Sequence, residues 1–379
     1  MTLLTNIGKK TSVPAVHVLV IAVSDYPFLD QGSSKRPLTP NGGLGQLKSP
    51  VASAEVLCRW LRSTFRPKKL PLGSIEVLCS AGGTFYDDQG QLIAVSPPTM
   101  KNARKAISAW AARGDEHEDS FLMLYFCGHG VSSGIVHSLL LEDFGNDKND
   151  PFNTGAIDAD GLMDGMRTKA ACSQLFLFDA CRTVEHSAFA NFGGQRGAAV
   201  VSAPPNVRLG IVEQACLWAT SLGALAYGVP GHESVFMGAL LHAMQGGGAM
   251  QDANDGRWVI QPDVLKRAID HIIQRIPQFS TSGLQFSVLD RMVRGFPVHA
   301  LPGGPSVPVK VQCNPASRNS MTAFECSSGH KRPMGPSEPW YLDLPVDAYT
   351  FEAVAADSAT KRVPALPHPP YAIVSFDHP

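Results

Sequence analysis

Two side chains hold most of the chemistry that this sequence can do. His129 stands between Gly128 and Gly130 at the end of the apolar run FLMLYFC, and Cys181 follows Asp179 and Ala180 at the end of QLFLF. A cysteine brought beside a histidine is the arrangement for thiolate attack, in which the imidazole takes the thiol proton and returns it to the leaving group. Runs as apolar as 121–127 and 175–178, without alternation, suit strands buried on both faces of a parallel sheet. Open parallel sheets present their chemistry at the carboxyl ends of the strands. Adjacent strands ending in His129 and Cys181 would therefore share one crevice, although 52 positions separate the two residues. Asp179 lies two residues before Cys181, so in an extended segment both side chains face the same side. A carboxylate there favours a cation and repels an anion. Arg182 points to the opposite side.

Plainer roles exist for each residue. His129 could be a core histidine and Cys181 a small buried hydrophobe, but the placement of both at strand ends argues against this. His186 is an alternative partner close to Cys181, in a loop that reads as solvated. Ser24 and Asp25 end the first strand and are candidates for a third member; the sequence places neither side chain. Asp179 has an alternative too, as a carboxylate that bonds nearby backbone N–H groups and never meets a substrate.

The elements that must position these residues follow from periodicity. Residues 1–15 are polar and irregular, a loose arm. Val16–Val23 is a strand, and it leads into Ser24–Gln46, a Gly-, Pro- and Ser-rich loop too polar to pack as an element. A long loop at the carboxyl end of a strand is expected to be functional. Ser49 and Pro50 open a helix as N-cap and first residue, with Val51, Ala54, Leu57, Cys58, Leu61 and Phe65 on one face. Ile75–Cys79 is the second strand, 99–112 the second helix and 121–127 the third strand. His137–Glu142 is a further strand or the return arm of a hairpin from Gly130. Asp158 caps a short helix, Gly161–Met166. The cysteine strand is fourth, Ala198–Val201 fifth and Ala215–Thr220 sixth. Helices start at Ser234 and Asp263, the second with Leu265, Ala268, Ile269, Ile272 and Ile273 inward. The alternation predicts an α/β domain over 16–294, three layers around a mostly parallel six-stranded sheet. GFPVHALPGGP, 295–305, is a linker by composition. Residues 306–379 alternate in short pieces between Pro, Gly and Ser, which predicts a small antiparallel all-β sandwich. That domain is expected to recruit or orient a substrate or partner protein.

The pair GHG, 128–130, and DACR, 179–182, resembles the caspase-like cysteine peptidases, the clan of caspases, metacaspases and their bacterial relatives. HVLVIAVSDYP at 17–27, IDADGL at 157–162, WATSLGALAYG at 218–228 and ESVFMGALLHAM at 233–244 extend the likeness over about residues 16–290, in the style of prokaryotic members. The resemblance implies a caspase-like sandwich, an endopeptidase activity of a regulatory or defence type, and a catalytic dyad of His129 and Cys181. It implies an oxyanion hole made by the N–H groups of Gly130 and Cys181. It also implies that Asp179 lines a pocket for P1 Arg or Lys, as in metacaspases, whereas caspases that cut after aspartate carry Gln there. The metacaspase pattern has a second aspartate after strand one, and the matching position here is Ser53, so the basic preference is expected to be weaker. The alternative class is a catalytically silent scaffold; retention of both His129 and Cys181 argues against it.

Bulk properties exclude other classes. Lys and Arg total 32 against 33 Asp and Glu, and RPKK at 66–69 is a short solvated turn, so nucleic acid is not an expected partner. The longest N-terminal apolar run, Val18–Val23, is far short of a membrane span. Eight cysteines, mostly inside apolar segments, read as buried thiols of a reducing, cytoplasmic compartment. Cys313 and Cys326 are read as core residues, since His330 supplies only a third ligand for a metal. No glycine loop cradles phosphate, and no cofactor is expected. The acidic stretch Glu142, Asp143, Asp147, Asp150 does not match a calcium-binding loop and reads as solvated, with calcium as the alternative.

Overall fold

The unbroken apolar runs become the central strands, where burial on both faces demands them. The computed structural model describes residues 2–6, 13–133, 136–182, 196–202, 212–221, 224–228, 231–276, 285–292 and 295–377. By its contacts the chain divides into two units, 1–238 with 282–296, and 239–281 with 297–379.

The first unit is built on a seven-stranded sheet. Its strands are β1 (Thr2–Asn6), β2 (Val16–Ala22), β3 (Leu72–Cys79), β4 (Phe121–Cys127), β8 (Ser173–Asp179), β9 (Glu213–Trp218) and β10 (Val288–Asp290), in the spatial order β1-β3-β2-β4-β8-β9-β10. The five inner strands are parallel, and the two edge strands, β1 and β10, are antiparallel. All seven residues of both β2 and β4 are buried. Between β4 and β8 the chain makes a hairpin of β5 (Gly130–Ser133) and β6 (Val136–Leu140), with β7 (Ala156–Asp158) beside it. Helices α1 (Pro50–Ser63) and α2 (Met100–Gly114) follow the predicted faces. Met100, Ala103, Ile107 and Trp110 of α2 pack with Leu19, Ile21, Leu124 and Phe126 of the sheet. The Trp110 indole N–H donates to the His17 carbonyl at 2.9 Å. α3 (Ala159–Met166) is capped by Asp158, whose carboxylate accepts the Gly161 N–H at 2.9 Å.

Several expectations are corrected. The arm contains β1, because Thr2–Asn6 adds to the open edge of β3. Ala198–Val201 is no sheet strand: Ala198 makes only an isolated bridge to Ile157. The missing strand and the two edge strands together change six strands to seven. Ser49 precedes α1 in a helical conformation and makes no side-chain cap. The polar loop 24–46 does pack, since Tyr26, Leu29 and Leu38 are buried. The Gln46 amide ties it together by bonding Tyr26 N–H at 2.8 Å and the carbonyls of Tyr26 and Asp30 at 2.9 Å.

The second unit joins residues 239–281 to the C-terminal sheets, where composition had placed a boundary at 295–305. Helix α5 (Pro262–Ile273) belongs here, after α4 (Val235–His242), and buries Leu265, Ala268, Ile269 and Ile273. Pro262 occupies its first turn after the N-cap Gln261, so Asp263 is not the cap. His271 stacks on Tyr371 with centroids 4.2 Å apart, and Arg275 pairs with Asp343 at 3.1 Å. Two sheets, of three and four strands, enclose a common core of Val309, Val311, Phe324, Phe351, Val374 and Phe376, a sandwich as expected. One pair departs from antiparallel: Ser306–Asn314 runs parallel to Ala372–Asp377. Cys313 and Cys326 are buried free thiols in that core.

Candidate active site

The ladder between β4 and β8 brings the two reactive residues together. Cys127 pairs with Asp179, and the Gly128 N–H donates to the Asp179 carbonyl at 3.3 Å. His129 and Cys181 each stand two residues beyond that last pair, at the carboxyl ends of neighbouring parallel strands. Gly130 lies against the cysteine: a Cβ there would meet the Cys181 carbonyl oxygen at 2.4 Å, so no other residue fits. A Cβ on Gly128 would come within 2.8 Å of the Tyr26 hydroxyl.

That hydroxyl fixes the histidine backbone. It accepts the His129 N–H at 2.7 Å and donates to the Leu140 carbonyl at 3.2 Å, and the two rings lie 4.7 Å apart. His129 Nε2 is 2.7 Å from the carbonyl oxygen of Gly45. A carbonyl only accepts, so Nε2 must bear the proton, and Nδ1 is left as the basic nitrogen. Neither Ser24 nor Asp25 is bonded to the ring; the backbone of the 24–46 loop holds it. Burial lowers the His129 pKa, and the Gly45 bond works in the opposite direction.

Cys181 Sγ accepts the Ala226 N–H at 3.2 Å. Burial raises its pKa, the Ala226 N–H opposes the rise, and the charge of Asp179 adds to it. The raised thiol and the lowered imidazole both favour their neutral forms. Among the described residues the Cys181 N–H has no acceptor, which leaves it available to a developing oxyanion. His186 lies outside the described residues.

Asp179 is 3% exposed and bonded to side chains, not backbone. Its Oδ2 accepts from Tyr125 Oη at 2.8 Å, from the Cys127 thiol at 3.5 Å and from the Ser234 hydroxyl. Among the described residues Oδ1 has no donor. Ser53, fully buried, accepts the Ser234 N–H at 2.9 Å and bonds the Cys127 thiol, so it reaches Asp179 through these two neighbours and not directly. Burial raises the Asp179 carboxyl, and these hydrogen bonds, that of Ser234 first, pull against the rise. Arg182 is turned away, stacked over Trp218. Sequence reasoning missed Tyr26, Gly45, Tyr125, Ala226 and Ser234; only Tyr26, next to the end of β2, stood where a sheet-end rule could have pointed.

The acidic stretch has local partners. Asp143 accepts the Met100 N–H at 3.0 Å, Asp150 the Asn153 N–H at 3.4 Å, and Glu142 the Ser80 hydroxyl at 2.9 Å. No group of three His, Cys, Asp or Glu among the described residues is arranged to hold a metal ion. No helix among them is long and apolar enough to cross a membrane.

The family model described as caspase domain matches residues 16–265. An uncharacterized protein, y4kE of Sinorhizobium fredii, is 26% identical over 262 residues, which is 67% of each chain. Among solved structures, caspase-1 from Spodoptera frugiperda aligns with a TM-score of 0.45 and 10% identity, over 80% of this chain and 99% of its own.

Proposed function

The chain belongs to the caspase-domain family, and from that premise we propose that it is a cysteine endopeptidase that cuts after Arg or Lys in a regulatory or defence role. One observation carries the chemistry: His129 and Cys181 stand at matched positions beyond the Cys127–Asp179 pair, with the imidazole Nε2 committed to Gly45. Cys181 attacks the scissile carbonyl as its proton passes to His129 Nδ1. The N–H groups of Cys181 and Gly130 receive the oxyanion, and His129 then protonates the leaving amine. Water repeats the sequence on the thioester and frees Cys181.

The specificity reading rests on the Asp179 carboxylate. Its Oδ2 is engaged by three donors, so Oδ1 is the atom offered to a substrate cation. Ser53 adds no second charge, which tempers the preference.

Purified protein is tested on fluorogenic peptides that differ only at P1, beside Cys181→Ala and His129→Ala. Activity is expected in the wild type, none in Cys181→Ala, and a loss of about 10²–10⁴-fold in His129→Ala. Comparable hydrolysis by folded Cys181→Ala would falsify the assignment. Wild-type protein whose Cys181 takes up a thiol probe but cleaves no peptide would instead mark a different acyl-transfer enzyme. Absence of both probe labelling and cleavage would mark a silent scaffold.

A further inference from the structure

No hydrogen bond joins His129 to Cys181 among the described residues, and the β4–β8 ladder ends before either of them. The two segments are linked instead by side chains on the side of the chain away from Asp179. His137 lies on β6, the return arm of the hairpin that begins at Gly130. Its backbone N–H and its Nδ1 both meet Asp160 Oδ2, at 3.1 and 3.0 Å. Burial works to raise the Asp160 carboxyl, but the His137 bonds and the Arg291 charge hold it below its ordinary value. An ionised carboxylate only accepts, so Nδ1 bears the proton and Nε2 presents its lone pair. Arg182 Nη2 donates to that lone pair at 2.7 Å. The guanidinium lies 4.7 Å over the Trp218 ring, and the His137 ring lies 4.8 Å from the same indole.

The other end of this chain of contacts is the nucleophile. The Arg182 N–H donates to the Ala224 carbonyl at 3.2 Å, and two residues on the Ala226 N–H donates to Cys181 Sγ. Holding Arg182 therefore holds both Cys181 and the 224–226 segment that bonds its sulfur. We propose that Asp160, His137 and Arg182 form a positioning relay that locks the cysteine segment to the histidine hairpin, and that the lock requires a neutral His137. Protonation of His137 removes the acceptor and sets cation against cation. The charged groups that meet His137 directly are Asp160 of α3 and Arg182; behind them, Arg291 at β10 pairs with Asp160 and Asp164, and Cys216 of β9 and Asp290 bear on Arg182. The proposal rests on the cysteine–histidine reading above, but the test has a readout that needs no peptidase activity.

His137→Ala, His137→Gln and Arg182→Lys are compared with wild type in two measurements. One is kcat and KM on a P1 Arg peptide across pH. The other is the pH midpoint of Cys181 alkylation by iodoacetamide, followed by mass spectrometry of the Cys181 peptide. His137→Ala is expected to lower kcat by about 30-fold or more, with KM changed less than about threefold. Its alkylation midpoint rises, because the Ala226 N–H that favours the thiolate is no longer held in place. Gln offers an amide N–H to Asp160 and a carbonyl to Arg182 at every pH. His137→Gln should therefore keep kcat within about fivefold and the alkylation midpoint near that of wild type. Folded His137→Ala with kcat and midpoint unchanged overturns the relay, as does a Gln variant no better than Ala. If His137→Ala fails to fold, Arg182→Lys, which keeps the charge but not the planar fork, decides by the same two measurements. If wild type cleaves no peptide, the peptidase reading fails and the relay is judged on the alkylation midpoint alone.

Discussion

Asp179 serves stability poorly and fits binding well. Burial raises its carboxyl, so folding favours the protonated acid, and the ionised form costs stability once the pH passes above the unfolded value. A P1 cation needs the ionised form. The Arg/Gln ratio of kcat/KM should therefore fall with decreasing pH through a midpoint above the ordinary carboxylate value of about 3.9. Asp179→Asn should lower the Arg/Gln ratio of kcat/KM at least about tenfold, with Tm at neutral pH no lower than wild type. An unchanged ratio would mean that Asp179 does not read the substrate. Ser234 links this carboxylate to a helix start: its hydroxyl donates to Asp179 and accepts the Met237 N–H at 2.9 Å. Ser234→Ala should cost about 1 kcal/mol through the lost cap and move the acid limb for P1 Arg upward, because that hydrogen bond pulls the carboxyl down. Denaturant titration and a pH profile read the two effects separately.

At the scale of elements, the 24–46 loop is the part of the site that the sheet itself does not supply. It delivers the Tyr26 hydroxyl to the His129 N–H and the Gly45 carbonyl to the ring. Tyr26→Phe leaves that buried N–H and the Leu140 carbonyl without a partner, a cost of about 1–3 kcal/mol. It should lower kcat more than it raises KM, since in the proposed mechanism the hydroxyl positions the base through the His129 N–H. Chemical denaturation with steady-state kinetics checks this; a loss confined to KM would place Tyr26 with the substrate instead.

For the whole molecule, the grouping of 239–281 with 297–379 changes what truncation should do. Ending the chain after Phe296 removes Ser306–Asn314, one of the segments that α5 packs on, and the sheets that complete its unit. The expected result is aggregation or a Tm loss of several degrees; a monomeric product with wild-type Tm would show that α5 does not depend on those sheets. Activation by cleavage is equally testable. Arg196, one of the two arginines between Arg182 and β9 (the other is Arg208), donates to Asp158 at 2.5 Å, and Asp158 caps α3. Cleavage there would disturb a pair within the fold, so intact-mass analysis of the active fraction should find a single chain.

The sequence by itself determined the central strands and their ends. Apolar runs too continuous for a one-sided sheet had to lie inside, and a residue just past such a run had to emerge at its carboxyl end, which put His129 and Cys181 in view. The same logic read the faces of α1 and α2, whose 3.6-residue period is a local property. Tertiary structure decided everything that depends on a partner distant in sequence. The third member at the histidine is the carbonyl of Gly45, 84 positions away, and a backbone carbonyl leaves no mark in residue type. Ser234, 55 positions from Asp179, read only as a helix start. The edge strands β1 and β10 are short pieces whose pairing comes from the open sheet edge beside them, not from their own pattern. The linker composition at 295–305 overlaps the point, after Phe296, where the chain passes from one unit to the other. It could not show that α5 shares a unit with strands beyond that point, because an apolar helix face does not specify which surface will cover it.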